Sequence, residues 1–555
     1  MWNTGVQWRR ILLSVCRRRS FPSASPLLLP PTEVRRSIAR QRCAVLAGAL
    51  VMTLTGCATL PRDVAREPSY AWNRPLETKM GSTFAADVEH HPGMSGFHVL
   101  GNGLDAFVAR MVLAGVAERT LDLQYYAFHD DLTGKLILGN VLSAADRGVR
   151  VRILVDDTTA KGKDAGLAAL ASHPLIEVRL FNPSAGRSSS AWLFSAAVDF
   201  DRINHRMHNK MFVADNQAGV AGGRNIGDQY FSAREGVNFA DLDLLAIGPV
   251  VQDLSRSFDE YWNSEWVYPI EALHAAKPDP AALDQGREML AAHRSAARDS
   301  EYAKRLAESD LLQKLLTREL PLVWAPAQIM YDKPEKAGGG DKDATVRLGP
   351  QLRSTVTELR SELIILSPYF IPGENGIALF RRLRERGVRV RILTNSFAAN
   401  DVALVHSGYA RYRKDLLKLG VELHEIKPSL VEAPEDSRKT FGSSGASLHA
   451  KSFIFDRRQL FVGSLNLDPR SLYLNTELGI VVDSPELAEK VARQFEELLR
   501  PQYSYRLALE TADGKLVWIS EENGTETRFT RDPEVGFWRR FSTWFLSVFA
   551  PESLL

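Results

Sequence analysis

RGVRVRILVDD, residues 147–157, returns as RGVRVRILTNS at residues 386–396. The apolar side chains alternate in both copies: Val149, Val151 and Ile153 in one, Val388, Val390 and Ile392 in the other. A period of two is that of a β-strand. Upstream of each copy lies a helix-like run, TGKLILGNVLSAAD (133–146) and NGIALFRRLRE (375–385). Before each run stands another strand-like stretch, TLDLQYYAF (120–128) and ELIILSPYF (362–370). Strand, helix, strand in each half predicts an α/β sandwich of mostly parallel strands, built twice.

The repeat continues downstream. HNKMFVAD (208–215) begins 61 residues past Arg147, and HAKSFIFD (449–456) begins 63 past Arg386. GVAGGRN (219–225) follows the first and FVGSLN (461–466) the second, so Gly222 and Asn225 match Gly463 and Asn466. Beyond them, at the ends of DLD and NTE, come Asp243 and Glu477. One His-x-Lys-x4-Asp is unremarkable in a chain of 555 residues. Two of them, at matching places in matching halves, indicate duplication.

Residues i and i+2 of a strand share a face, so His208 and Lys210 point one way, as do His449 and Lys451. Two such strands brought together about a pseudo-twofold axis surround one point with two histidines and two lysines. That set suits a phosphate: the lysines give charged donors to its oxygens and Asn225 and Asn466 give neutral ones. One histidine can attack phosphorus while the other protonates the departing oxygen. Asp243 and Glu477 are each expected to bond a histidine and set its tautomer. Asp215 and Asp456 complete the motif but lie on the opposite strand face, where a structural role is expected. The lysines already supply positive charge, so neither a metal nor another cofactor is required.

Composition narrows the partners. Residues 1–56 carry a charge of +8, which leaves −6 on the rest of the chain. An acidic body is a poor match for nucleic acid. The cysteines, Cys16, Cys43 and Cys57, all precede residue 58, which excludes a disulfide framework or thiol nucleophile in the body. Arg35, Arg36, Arg40 and Arg42 precede the apolar run AVLAGALVMTL (44–54), too short to span a bilayer and in the order of a signal peptide. LTGC (54–57) resembles the bacterial lipobox, with Cys57 the residue that is lipidated. The tract before Val34 is long for such a signal, which points to a start further downstream. The expected location is a membrane-anchored lipoprotein on the periplasmic side, with Ala58 after the cysteine favouring the outer membrane.

The expected organisation is a signal segment (1–57), a linker (58–95), a first domain (96–275), a helical connector and loop (276–342), a second domain (343–502) and a C-terminal region (503–555) of β-meander and amphipathic helix. In that helix Phe537, Trp538, Phe541, Trp544, Phe545 and Val548 recur at helical spacing, which fits either a lipid interface or packing on the domain. The Gly/Ser-rich stretch before His449 is expected to be a flexible rim.

The paired HxKxxxxD signatures resemble those of the phospholipase D superfamily, from residue 96 to residue 550. The resemblance implies duplicated α/β/α sandwich domains with the active site at their interface. It implies a phosphohistidine intermediate, with His208 as nucleophile and His449 as general acid and then base. It also implies a monomer, because both motifs lie in one chain. RINHRMHNKMFVADNQAGVAGGRNIGDQYF (202–231) and TNSFAANDVALVHSGYARYRKDLLKLGVELHEIKP (394–428) are similar to the bacterial cardiolipin synthase branch that passes a phosphatidyl group from phosphatidylethanolamine to phosphatidylglycerol. That implies phospholipid substrates at a membrane surface. Water in place of a lipid hydroxyl would make the protein a phospholipase D hydrolase releasing phosphatidic acid. Some superfamily members are nucleases, a reading the acidic body opposes.

Overall fold

The repeated stretches become the strands Arg150–Asp156 and Arg389–Asn395, each inside its own sheet, in a computed structural model of the chain. The structure describes residues 60–61, 63–185, 200–234, 238–273, 279–317, 319–339, 347–428, 446–510, 514–522 and 524–547. Cys57 with its signal segment, and most of the Gly/Ser-rich stretch before His449, lie outside the described residues. Each helix that precedes a repeated strand, Leu132–Asp146 or Gly373–Glu385, ends on the Arg-Gly of the repeat. Gly148 and Gly387 there take φ of +98° and +82°, the left-handed conformation that stops a helix.

Seven strands of each sheet follow one order. In the first it runs Ser95–Leu100, Asp243–Ile247, Ala218–Gly222, Met211–Ala214, Thr120–Tyr125, Arg150–Asp156, Ile176–Phe181. In the second it runs Ala327–Tyr331, Leu478–Asp483, Gln459–Gly463, Lys451–Phe455, Glu362–Leu366, Arg389–Asn395, Glu422–Ile426. The first sheet adds an edge strand at each side, Val323–Ala325 and Val267–Pro269. The second is extended by the C-terminal meander Ser504–Leu509, Leu516–Glu522 and Thr525–Phe529. The chain is duplicated and α/β, but the expectation of mostly parallel strands is corrected. Within the two sheets only the pairs made by Arg150–Asp156 and Arg389–Asn395 with their neighbours are parallel. The His-x-Lys strands return through tight hairpins, which can join only antiparallel neighbours.

One buried cluster takes side chains from both sheets and from the helices Pro249–Trp262 and Pro485–Leu498. Each half has a further cluster of its own on the outer side. The halves therefore share a continuous interior. Among the described residues, the connector expected over 276–342 holds three α-helices, Pro280–Ala297, Glu301–Ala307 and Asp310–Thr317, and then two strands that the sequence reading missed. Val323–Ala325 pairs with the first sheet and Ala327–Tyr331 with the second, so the chain passes between sheets at Pro326. The expected linker 58–95 contains the helix Lys79–His90 and lies against the first half, where Ser69 and Ala71 N–H donate to Asn263 and Asp259. Among the described residues no helix is long and apolar enough to cross a membrane.

Candidate active site

Each histidine is delivered by backbone pairing with the opposite half. His208 N–H donates to Thr476 O at 2.8 Å, and Thr476 N–H donates to Arg206 O at 2.8 Å. On the other side Ala446–Leu448 runs parallel to Asn238–Ala240, and His449 N–H donates to Ala240 O at 2.7 Å. Thr476 precedes Glu477 and Ala240 precedes Asp241, so each histidine lands beside an acid from the other half. His208 Nδ1 donates to Glu477 Oε2 at 2.9 Å. His449 Nδ1 donates to Asp241 Oδ2 at 2.5 Å. Bonds at both Nδ1 atoms set the tautomers and reserve Nε2 for chemistry.

The expectation that Asp243 holds a histidine is therefore corrected. Asp243 is buried against two arginines, accepting from Arg110 Nη2 at 3.0 Å and lying 3.4 Å from Arg224 Nη1. Strand register explains the exchange. Gly222 pairs with Asp243 whereas Gly463 pairs with Gly479, so the counterpart of Glu477 is two residues earlier, at Asp241. Aligning DLDLL (241–245) with ELGIV (477–481) carries that signal in the sequence. The neighbouring position is matched to the acid's length. Ser464 Oγ donates to Glu477 Oε2 at 2.5 Å. Its counterpart Gly223 leaves room for the shorter acid, since a Cβ there would sit 2.0 Å from Asp241 Oδ1.

Sequence reasoning also missed how the two acids are held. Asp332 Oδ2 accepts from the Glu477 N–H at 2.8 Å and from Lys336 Nζ at 2.9 Å, all buried. In the first half Arg224 does the corresponding work: its guanidinium donates to the carbonyls of Leu100, Gly101 and Asp241. Aromatic rings close around the histidines. Tyr126 meets His208 edge-on at 5.1 Å, and Phe239 and Tyr230 flank His449 at 5.0 and 5.2 Å.

Lys210 and Lys451 are buried, each donating to the carbonyl of its own histidine. Burial pushes Lys210 well below its usual pKa and Lys451 down to about 8, against the pull of nearby acids. Burial lowers His208 to about 4, with Glu477 opposing and Lys210 adding to the shift, so the ring is neutral near pH 7. Burial and Lys451 lower His449, and Asp241 opposes them. Burial works against the Asp241 charge, but His449 holds that carboxylate well below its usual range. An incoming phosphodiester would add to the counter-charge of those acids and favour the charged lysines. Asn225 accepts from the Ala127 N–H at 3.1 Å and donates to Tyr230 at 3.0 Å. Asn466 Oδ1 is buried with no hydrogen-bond partner among the described residues.

Asp215 and Asp456 stand apart from this cluster, not on the opposite strand face as expected but in the turns that follow Met211–Ala214 and Lys451–Phe455. Asp215 accepts from the N–H groups of Glu118, Arg119 and Thr120 at 2.8–2.9 Å. Asp456 accepts from those of Arg360, Ser361 and Glu362 at 2.8–2.9 Å. Each carboxylate thus ties its hairpin to the start of the neighbouring strand. Among the described residues no group of three or more His, Cys, Asp or Glu side chains is arranged to hold a metal ion.

The chain matches the family described as cardiolipin synthase, PLD-like domain, over residues 113–262 and 352–499. It is 42% identical to cardiolipin synthase C of Escherichia coli over 86% of this chain and 100% of that protein. It is 31% identical to an uncharacterized protein of Helicobacter pylori over 88% of this chain and 95% of that one. The fold is shared with the solved phosphatidylserine synthase of Haemophilus influenzae, with a TM-score of 0.54 at 14% identity, covering 85% of this chain and 100% of that one.

Proposed function

Because the chain belongs to the cardiolipin synthase family with phospholipase D-like domains, we propose that it is a phosphatidyltransferase that makes cardiolipin through a phosphohistidine. The observation that carries the mechanism is the pair of histidines, each fixed by a carboxylate from the other half, with two buried lysines beside them. His208 Nε2 attacks the phosphorus of a phosphatidylethanolamine or phosphatidylglycerol donor. The bond from phosphorus to the departing alcohol oxygen breaks, and His449 Nε2 gives that oxygen its proton. A phosphatidylglycerol hydroxyl then enters, surrenders its proton to His449 and displaces His208 from phosphorus. The lysines and Asn466 hold the non-bridging oxygens and their surroundings as charge builds.

The halves differ in a way that suits these roles. His449 has the shorter carboxylate contact, 2.5 Å against 2.9 Å, which supports the imidazolium form from which a general acid gives its proton. His208 is held neutral, as a nucleophile must be. Water at the second step would release phosphatidic acid, and the lipid products of purified protein given both phospholipids distinguish the outcomes. Cardiolipin is expected; phosphatidic acid alone would sink the transferase reading. His208→Ala and His449→Ala are each expected to lower turnover at least about a thousandfold. Full activity in either would overturn the two-histidine mechanism.

The proposed setting is the periplasmic side of a bacterial membrane, outer rather than inner, with Cys57 lipidated. The order of basic, apolar and small residues up to Cys57 supports it. Mass spectrometry of the mature N-terminus is expected to find a diacylated Cys57, and an unprocessed Met1 would reject the anchor.

A further inference from the structure

The helix Phe537–Ser547 wears its large aromatic side chains on the outside. Phe537, Trp538, Phe541 and Trp544 fall at i, i+1, i+4 and i+7, one face of a helix. All four are exposed, Trp538 at 77% and Trp544 at 63%, whereas the buried residue of the helix is Thr543. A helix packed on a domain normally turns its apolar stripe inward; this one does the reverse.

It is docked nonetheless, by polar groups. Arg539 Nη2 donates to Asn400 O at 2.6 Å, and its guanidinium lies over the Phe397 ring at 5.3 Å. Arg540 Nη2 donates to Asp532 O at 2.6 Å. The helix also lies along Ala403–Ala410. Its polar side is thus occupied with the protein, and its aromatic face is turned away.

The docking place adjoins the candidate active site. Next to Asn400 is Asp401, whose carboxylate accepts from Tyr369 Oη at 2.8 Å. The Asp401 charge is felt by Lys451 and by Tyr230, the ring beside His449. Val402, which follows Asp401, is exposed as well.

We propose that the Phe537–Ser547 helix is an interfacial anchor that seats the rim of the active site in the surface of a phospholipid bilayer. The proposal takes the lipid nature of the partner from the function above. Trp and Phe, more than aliphatic side chains, suit the boundary between headgroups and acyl chains. Arg539 and Arg540 are engaged with protein carbonyls, so insertion of the rings drives binding and attraction to anionic lipid does not.

The test uses the full chain in a Cys57→Ser background, so that no acyl group at that residue holds it to lipid, and vesicles of phosphatidylcholine with brominated acyl chains, reading tryptophan quenching. Wild-type protein is expected to be quenched on these zwitterionic vesicles, equally at low and high salt. Trp538→Ser/Trp544→Ser is expected to lose most of the quenching. Phe541→Ser, which removes no fluorophore, is expected to weaken vesicle partitioning at least about tenfold. The positions are exposed, so folding is preserved, as circular dichroism will verify; Trp538→Phe/Trp544→Phe is expected to keep sedimenting with vesicles. Equal quenching in wild type and the Trp538→Ser/Trp544→Ser variant overturns the proposal. So does binding confined to anionic vesicles and abolished by salt, or burial of Trp538 and Trp544 in a lipid-free dimer. None of these readouts depends on turnover, so a failure to form cardiolipin would count against the proposed function alone.

Discussion

Asp241 and Asp243 are separated by a single leucine, yet one faces a histidine and the other two arginines. Their replacements therefore separate chemistry from stability. Asp241→Asn keeps the shape but misdirects the His449 tautomer, and kcat is expected to fall about a hundredfold to ten-thousandfold with little change in the urea midpoint. Asp243→Asn leaves the buried charges of Arg110 and Arg224 uncompensated, and unfolding free energy is expected to fall by about 3 kcal/mol. Assays of kcat beside urea titrations read both; the opposite pattern would restore Asp243 as the histidine's partner.

At the scale of elements, the hairpin turn after each His-x-Lys strand explains the motif's aspartate. Asp215 and Asn216 have φ of +53° and +54°, and Asp456 and Arg457 have +51° and +53°. A turn left-handed at both central residues favours Asp and Asn, and the same carboxylates bind the N–H groups that lead into the next strand. The helix Ala403–Ala410 holds a comparable junction with the C-terminal region. His406 there is buried, stacked on Phe397 at 4.6 Å and placed between Arg413 and Asp532. Burial, and then Arg413, lower its pKa from 6.5 to about 4, against the pull of Asp532. Between those values the unfolded chain binds the proton and the folded one does not, so stability rises with pH across the window and is lost on acidification. The loss is about 3 kcal/mol from full titration of this one group. Denaturant midpoints of wild type should fall from pH 6.5 towards 4, and His406→Gln should flatten the slope. An unchanged slope would remove His406 from the acid response.

For the whole molecule, a shared interior and exchanged acids make the site a property of the complete pair of halves. His208 without the second half lacks Glu477, and His449 without the first lacks Asp241. In a monomer both histidines of a site come from one chain. A mixture of His208→Ala and His449→Ala proteins is accordingly expected to make no more cardiolipin than the two separately. Recovery of turnover on mixing would mean that halves are exchanged between chains.

The sequence by itself determined the duplication, the strand–helix–strand units, the two His-x-Lys pairs and a structural rather than chemical role for Asp215 and Asp456. Each follows from side-chain periodicity or from a motif of neighbouring residues, which close spacing in the chain dictates. Tertiary structure alone decided that the sheets are mixed, that Pro326 is where the chain changes sheet, and that Asp241 rather than Asp243 meets His449. It also decided that Asp332 and Arg224 steady the acids and that the aromatic face of Phe537–Ser547 points outward. Those outcomes depend on the register between strands and on which face meets which neighbour. The carboxylates that hold His208 and His449 lie 269 and 208 residues away. Over such separations a shift of two residues in strand pairing replaces one aspartate with another and leaves the local pattern of the sequence unchanged.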